Sequence, residues 1–155
     1  MKQARFRYAL EPLLLTRRWK LDDLLRILAE HNAQLHSLAA EGAALQSQYA
    51  AADSLWKAVT QETSAQPVQR FAMHARHLGD LVRQLREHGA RMTALAAARD
   101  DVIATVVTAR RSLDAAEQHR DAMEDRFHRM RMSADFKLAD DQWNTLHTGA
   151  ASHGH

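Results

Sequence analysis

From Leu14 onward, apolar residues recur alternately every three and every four positions. Taking Leu14, Leu21, Leu28, Leu35, Gly42, Tyr49 and Trp56 as heptad position a places Arg17, Leu24, His31, Leu38, Leu45, Ala52 and Val59 at d, and eleven of these fourteen are apolar. A stripe of that period, sustained over seven heptads, is how a helix presents the seam of a coiled coil. A second series has a at Phe71, Leu78, Leu85, Met92, Arg99, Val106, Leu113, Arg120 and Phe127. Its d positions are His74, Leu81, His88, Leu95, Val102, Ala109, Ala116, Met123 and Met130. No stutter interrupts it, so the predicted supercoil is left-handed.

Between the two series the pattern breaks at Glu62-Thr63-Ser64-Ala65-Gln66-Pro67. Ser64 suits an N-cap, which puts Pro67 in a first turn where no N–H donor is needed; Pro12 opens the first helix in the same way. The reading is therefore all-α: two long helices, about 12–62 and 66–140, paired as an antiparallel coiled-coil hairpin with its turn near residues 62–67. At 1.5 Å per residue these helices would run to roughly 75 and 110 Å. The domain is one hairpin over residues 1–148, with 149–155 expected to be a disordered tail.

The offset between the helices is also legible. In an antiparallel pair a packs against d, and folding about residue 65 makes the numbers of facing residues sum to roughly 130. Gly42 then faces His88 and leaves space for the imidazole. His31 faces Arg99, so two polar seam residues share one layer. Within 31–62, Lys57 stands against Glu41, Asp53 and Glu62, whereas 68–99 carry six arginines against Asp80 and Glu87, so opposite charges meet along the pair.

Composition narrows the function classes. The 155 residues include 29 alanines but only 5 Gly, 2 Pro and no Cys, with 6% aromatic residues. That is far from the turn-rich make-up of sandwiches, barrels or nucleotide-binding α/β units, and it excludes disulfides and Cys-based zinc sites. The glycines stand too far apart for a phosphate-cradling loop. No apolar run is long enough to span a membrane, and the polar start does not read as a secretory signal. Of the 21 basic residues 17 are Arg, and residues 1–20 hold six basic groups against Glu11 alone. A basic start of this kind suits an acidic protein partner, a membrane surface or nucleic acid.

Catalytic chemistry has no visible place in such a chain. A nucleophile or acid–base pair needs a concave, water-excluding site. The pairs Asp22-Asp23, Asp100-Asp101 and Asp140-Asp141 are adjacent in sequence and point apart on a helix, as solvated faces do. His74 and His77 could share a face, with Asp80 nearest, and His153 and His155 lie in the tail; the simpler reading is solvated or seam-edge histidines, and no metal site is assigned. His31 and His88 read as register-setting polar seam residues. Arg110-Arg111 and Arg126, Arg129 and Arg131 could meet phosphates, but Asp121, Glu124 and Asp125 interleave with them and no nucleic-acid reader motif is present. Leu10, Leu13, Leu15, Trp19, Ile27, Ile103, Val107, Phe136, Leu138, Trp143 and Leu146 lie off the seam and suit either a broader core with some self-packing or docking to a partner.

The run Arg5-Phe6-Arg7-Tyr8-Ala9-Leu10-Glu11-Pro12-Leu13-Leu14, followed by Thr16-Arg17-Arg18, resembles the opening of the flagellar export protein FliJ. It is similar also to the start of the SctO (YscO-like) stalk proteins of type III secretion. Length and hairpin pattern agree along nearly the whole chain. The resemblance implies a fold similar to the two-helix part of a rotary ATPase γ subunit. It further implies a terminal end that inserts into the pore of a hexameric secretion ATPase and promotes its assembly and activity. Contacts with an inner-membrane export gate and with free export chaperones are implied as well. By position, the ATPase-facing residues would be Arg5, Arg7, Tyr8, Leu10, Leu14, Arg17 and Arg18, with Arg126, Arg129 and Arg131 on the returning helix. The export-gate surface would correspond to Phe71, His74, Ala75 and Leu78. A single shaft in a six-fold pore meets a symmetry mismatch, so loose electrostatic contacts from Arg-rich ends suit a ring of acidic loops.

The expectation is thus a monomeric, cytoplasmic, non-enzymatic protein, peripheral to an inner-membrane secretion apparatus. It would need no cofactor, bind no nucleic acid and insert in no membrane. The competing readings are a self-associating coiled-coil scaffold, including a swapped dimer with one helix running continuously through 62–67, and a basic nucleic-acid or membrane-surface binder.

Overall fold

The structure, a computed structural model, describes residues 4–62 and 67–151. Two helices form the described chain, α1 (Glu11–Gln61, 51 residues) and α2 (Val68–Ala151, 84 residues), packed against each other as an antiparallel pair. Among the described residues there is no strand. The expected turn falls largely at 63–66, outside the described residues, and Ser64 with it.

Each helix start follows from local chemistry. Glu11 lies in the first turn of α1, where its charge meets the positive end of the helix dipole. Its N–H bonds the Tyr8 carbonyl at 3.2 Å, and Pro12 follows where no donor is wanted. Pro67 stands just before α2, and its carbonyl accepts the Arg70 N–H at 2.9 Å.

Burial traces the heptads. Every a and d position of α1 from Leu14 to Val59 is buried or half-buried, and so is every one of α2 from Phe71 to Phe127 except Met123. Met123 and Met130, expected in the seam, are 36% and 67% exposed. The reason is coverage: α1 begins only at Glu11, and the extended segment before it lies against the last turns of the pair.

The chain divides into two compact units: a terminal unit of Met1–Leu21 with Thr108–His155, and a turn unit of Asp22–Val107. α1 and α2 each contribute residues to both units. In the turn unit the offset is pinned by His88, which is only 7% exposed. Its Nε2 donates to the Leu38 carbonyl at 2.6 Å, and since a carbonyl can only accept, that nitrogen carries the proton. A Cβ on Gly42 would stand 2.5 Å from His88 Cε1, so the missing side chain is what admits the ring. Trp56 and Phe71 meet edge to face at 6.2 Å on the same offset. In the terminal unit this offset puts Leu14 opposite Ala116 and Leu21 opposite Ala109, and all four are buried. Large side chains are thus set against small ones. Burying a leucine as Leu14 is buried contributes about 2 kcal/mol.

His31 and Arg99 are half-buried on the seam, and each bonds within its own helix, His31 Nδ1 to the Ile27 carbonyl at 2.9 Å and Arg99 to Asp100 at 3.0 Å. One expectation is revised: α2 continues past 140 to Ala151, taking in residues 149–151 of the expected tail. No proline interrupts 140–151, Trp143 stacks on His147 one turn later at 4.0 Å, and Thr145 and Thr148 bond carbonyls in the preceding turn. Exposed ion pairs decorate the surface. Arg26 bridges Asp23 and Glu30, and the Asp23 hydrogen bond with the Glu30 charge holds its guanidinium above the ordinary range. Asp53, by hydrogen bond and charge, does the same for the Lys57 ammonium.

Candidate functional site: a basic and aromatic clasp in the terminal unit

The residues singled out at the N-terminus fall in the terminal unit, where an irregular segment from Ala4 to Leu10 lies along α2. Three contacts fasten it. Arg131 Nη1 donates to the Ala4 carbonyl at 3.0 Å, the Phe6 and Phe127 rings lie 5.7 Å apart, and the Tyr8 hydroxyl shares a 2.7 Å hydrogen bond with His119 Nδ1. Partners descend on α2 as the segment ascends, which is antiparallel pairing continued without a helix on one side.

The clasp shapes two shallow clefts about the Phe6–Phe127 pair. One, of about 660 Å³, is lined by Arg5, Phe6, Glu124, Phe127, His128 and Arg131. The other, of about 280 Å³, is lined by Phe6, Arg7, Met123, Arg126, Phe127 and Met130. Each combines an aromatic floor with guanidinium groups at its edge. Arg5, Arg7, Arg126 and Arg129 are exposed, and none of the ion pairs among the described residues uses them. Such groups, with planar donor sets aimed outward, are suited to carboxylates.

The other residues of the expected ATPase-facing set do different work. Leu14 is 0% exposed and belongs to the core, so it touches no partner. Arg17 Nη1 donates to the Ser112 carbonyl at 2.7 Å, and Arg18 pairs with Glu117 at 3.2 Å. Each of these two arginines thus links α1 to α2 through one of its guanidinium nitrogens. Leu10 is 45% exposed and, with Tyr8, Leu13, Arg17 and His119, lines a further cleft of about 180 Å³. Sequence reasoning missed His119 and Phe127 as partners of Tyr8 and Phe6; the sum of 130 would have paired both within a turn.

The expected export-gate surface lies in the turn unit. Phe71, His74 and Leu78 are half-buried seam residues, and the Phe71 ring packs edge to face with Trp56. Only Ala75 of that set is exposed. The solvent-facing surface there belongs instead to the neighbouring Arg70, Met73, Arg76 and His77.

Among the described residues no three His, Asp or Glu side chains are grouped so as to hold a metal ion, and no helix is long and apolar enough to cross a membrane. His153 and His155 lie outside the described residues. Among the described residues Arg120 Nε is buried at seam position a without a hydrogen-bond partner, while Nη2 reaches Asp121 at 3.3 Å. Compared with protein-family models, with curated proteins and with solved structures, the chain matches none.

Proposed function

We propose that this chain is a non-enzymatic stalk and adaptor protein. Its terminal unit enters the pore of a hexameric type III secretion ATPase, promotes assembly and turnover of the hexamer, and links it to the export gate and export chaperones. The observation that carries this reading is the N-terminal run from Arg5 to Arg18, similar to the FliJ and SctO opening, on an all-α hairpin with outward guanidinium groups at that end. The buried Leu14 and the engaged Arg17 and Arg18 narrow the contact set. Arg5, Arg7, Arg126 and Arg129 meet the acidic loops, and Arg17 and Arg18 act by holding the two helices together.

The test is ATP hydrolysis by the purified secretion ATPase of the same genome, with the full chain titrated in. Stimulation that saturates near one chain per hexamer is expected. Replacing Arg5, Arg7, Arg126 and Arg129 together with Gln should lower it at least tenfold at fixed concentration, with helicity by circular dichroism unchanged. A competent hexamer that shows no stimulation at any ratio sinks the reading.

A further inference from the structure

Beyond Arg131 the seam no longer governs α2. Every residue from Met132 to Gly149 is exposed. The positions that would continue the seam here are Ala134, Lys137, Asp141, Asn144 and Thr148, nearly all polar. A second stripe begins instead, out of phase with the first: Met132, Phe136, Ala139, Trp143 and Leu146, spaced four, three, four and three. Its large members are 59%, 71%, 61% and 73% exposed. The spacing is that of a coiled-coil seam, yet the face lies away from the side of α2 that meets α1. No residue of α1 can serve as its partner.

The stripe is complementary to itself. Set antiparallel to a second copy so that facing residue numbers sum to 282, Phe136 meets Leu146 of the other copy and Trp143 meets Ala139. The indole thus comes opposite the smallest member of the stripe. This is the rule the chain already follows within itself, where His88 fills the space over Gly42 and Leu14 and Leu21 come opposite Ala116 and Ala109. A coiled-coil pair this short buries on the order of 1,000 Å² in total, the low end of specific interfaces, where association is weak and reversible.

We propose that residues 132–146 of α2 form an antiparallel self-association site, through which two copies of this chain pair reversibly in the micromolar range. Charge sets the strength. Asp140 flanks the stripe and comes next to its own counterpart at the two-fold axis, so the pair carries one like-charge contact that holds it short of a permanent dimer. Asp135 and Gln142 border the other edge, with Asp135 reaching toward the small Gly149 of the second copy. This inference stands apart from the ATPase reading: the monomer expected of a stalk is the form below the dissociation constant, and pairing stores the free chain with its apolar stripe covered.

Sedimentation equilibrium of the full chain across the micromolar range tests it. The mass should rise with concentration from 17.5 kDa toward the dimer. Trp143→Ala and Phe136→Ala should each weaken pairing at least tenfold with unchanged far-ultraviolet circular dichroism, and Asp140→Asn should tighten it. The register is tested by charge exchange: Asp140→Lys mixed with the unaltered chain should give mostly mixed pairs, since the introduced ammonium then meets the Asp140 carboxylate of the unaltered copy across the axis. A mass fixed at 17.5 kDa over the whole range overturns the proposal. So does a dimer indifferent to Trp143→Ala, which would be a helix swap through 63–66, and so does a mixture with no preference for unlike partners. Stimulation of the ATPase, measured separately, succeeds or fails without bearing on any of these outcomes.

Discussion

The same two helices are held together in different ways in the two units. In the turn unit the fit is one of shape: Gly42 makes a hole, His88 fills it, and the Leu38 carbonyl takes the imidazole proton. In the terminal unit a short core of Leu14, Leu21, Ala109, Leu113 and Ala116 is supplemented by polar reach, with Arg17 on Ser112, Arg18 on Glu117, Arg131 on Ala4 and Tyr8 on His119. Shape complementarity in a dry seam specifies one register and tolerates little change. Partly exposed hydrogen bonds are individually weak and exchange with water or a partner. The turn unit thus holds the offset by fit, and the terminal unit adds contacts that can exchange.

The largest blow to that contrast should come from Leu14→Ala. Leu14 is fully buried and comes opposite Ala116, so its truncation leaves a cavity in the core. A loss of about 3 kcal/mol is expected. Amide hydrogen exchange should rise for residues 4–21 and 108–131 and stay near its original rate for 22–107. Equal loss of protection in both units would show that they unfold as one, and the division would lose its energetic meaning.

Glycines sharpen the comparison through a sign. Gly42, Gly79 and Gly89 are all within helices, where Ala is favoured by about 1 kcal/mol. At Gly79 and Gly89 nothing stands within 4 Å of an added Cβ, so Gly→Ala should stabilise by about that amount. At Gly42 the new Cβ meets the His88 ring, and moving the ring also breaks its bond to Leu38. Overpacking and a lost hydrogen bond together cost about 2 kcal/mol, so Gly42→Ala should be net destabilising by about 1 kcal/mol. In a His88→Ala background the same change should turn stabilising. Urea midpoints of the unaltered chain, Gly42→Ala, His88→Ala and the double variant decide it, and stabilisation by Gly42→Ala alone would remove His88 as the register lock.

How much of this could be read from the chain depended on what kind of signal carried it. Heptad leucines are periodic, so both helices, the seam and the sum of 130 were legible, and the Gly42–His88 match followed from that sum. The terminal clasp was legible only to within a turn, because Phe6 and Tyr8 precede the helix and obey no period, and the sum of 130 misses their partners Phe127 and His119 by three residues. Arginine side chains are long enough to turn inward or outward, so sequence could not separate Arg17 and Arg18, which fasten the helices, from Arg5 and Arg7, which face water. The end of α2 lies beyond the expected 140 because the helix outlasts its first seam. The helix persists on a rotated stripe.

The terminal seam contains one element that works against it. Arg120 occupies an a position, and its buried Nε has no partner, while Asp121 takes only Nη2 at the surface. An unmet donor of this kind costs about 1–3 kcal/mol, partly recovered by the packing of the side-chain stem. Arg120→Leu, which keeps the stem's volume and removes the donor, should therefore stabilise the terminal unit by about 1 kcal/mol. The urea midpoint should rise and exchange should slow for residues 108–131. A fall in stability would mean that the guanidinium is satisfied by water and belongs to the clasp.

The smallest effect expected is that of Tyr8→Phe, and it probes the clasp most directly. The change removes the hydroxyl bonded to His119 and leaves the ring, 5.6 Å from the imidazole, in place. An exposed hydrogen bond of this type is worth about 0.5 kcal/mol, too little to move a global unfolding midpoint with certainty. Local opening of residues 4–8 should still become about twofold more frequent, since 1.4 kcal/mol corresponds to a factor of ten. Trypsin reads that opening at Arg5 and Arg7, which lie on the fastened segment itself. When opening and closing are fast relative to cleavage, the initial rate tracks the open population. Cleavage there should thus speed about twofold in Tyr8→Phe, while cleavage at Arg83 and Arg91 in the turn unit stays unchanged. If the rate at Arg5 and Arg7 is untouched, the Phe6–Phe127 stack and the Arg131–Ala4 bond hold the segment alone. The polar reach of the terminal unit would then shrink to its arginines.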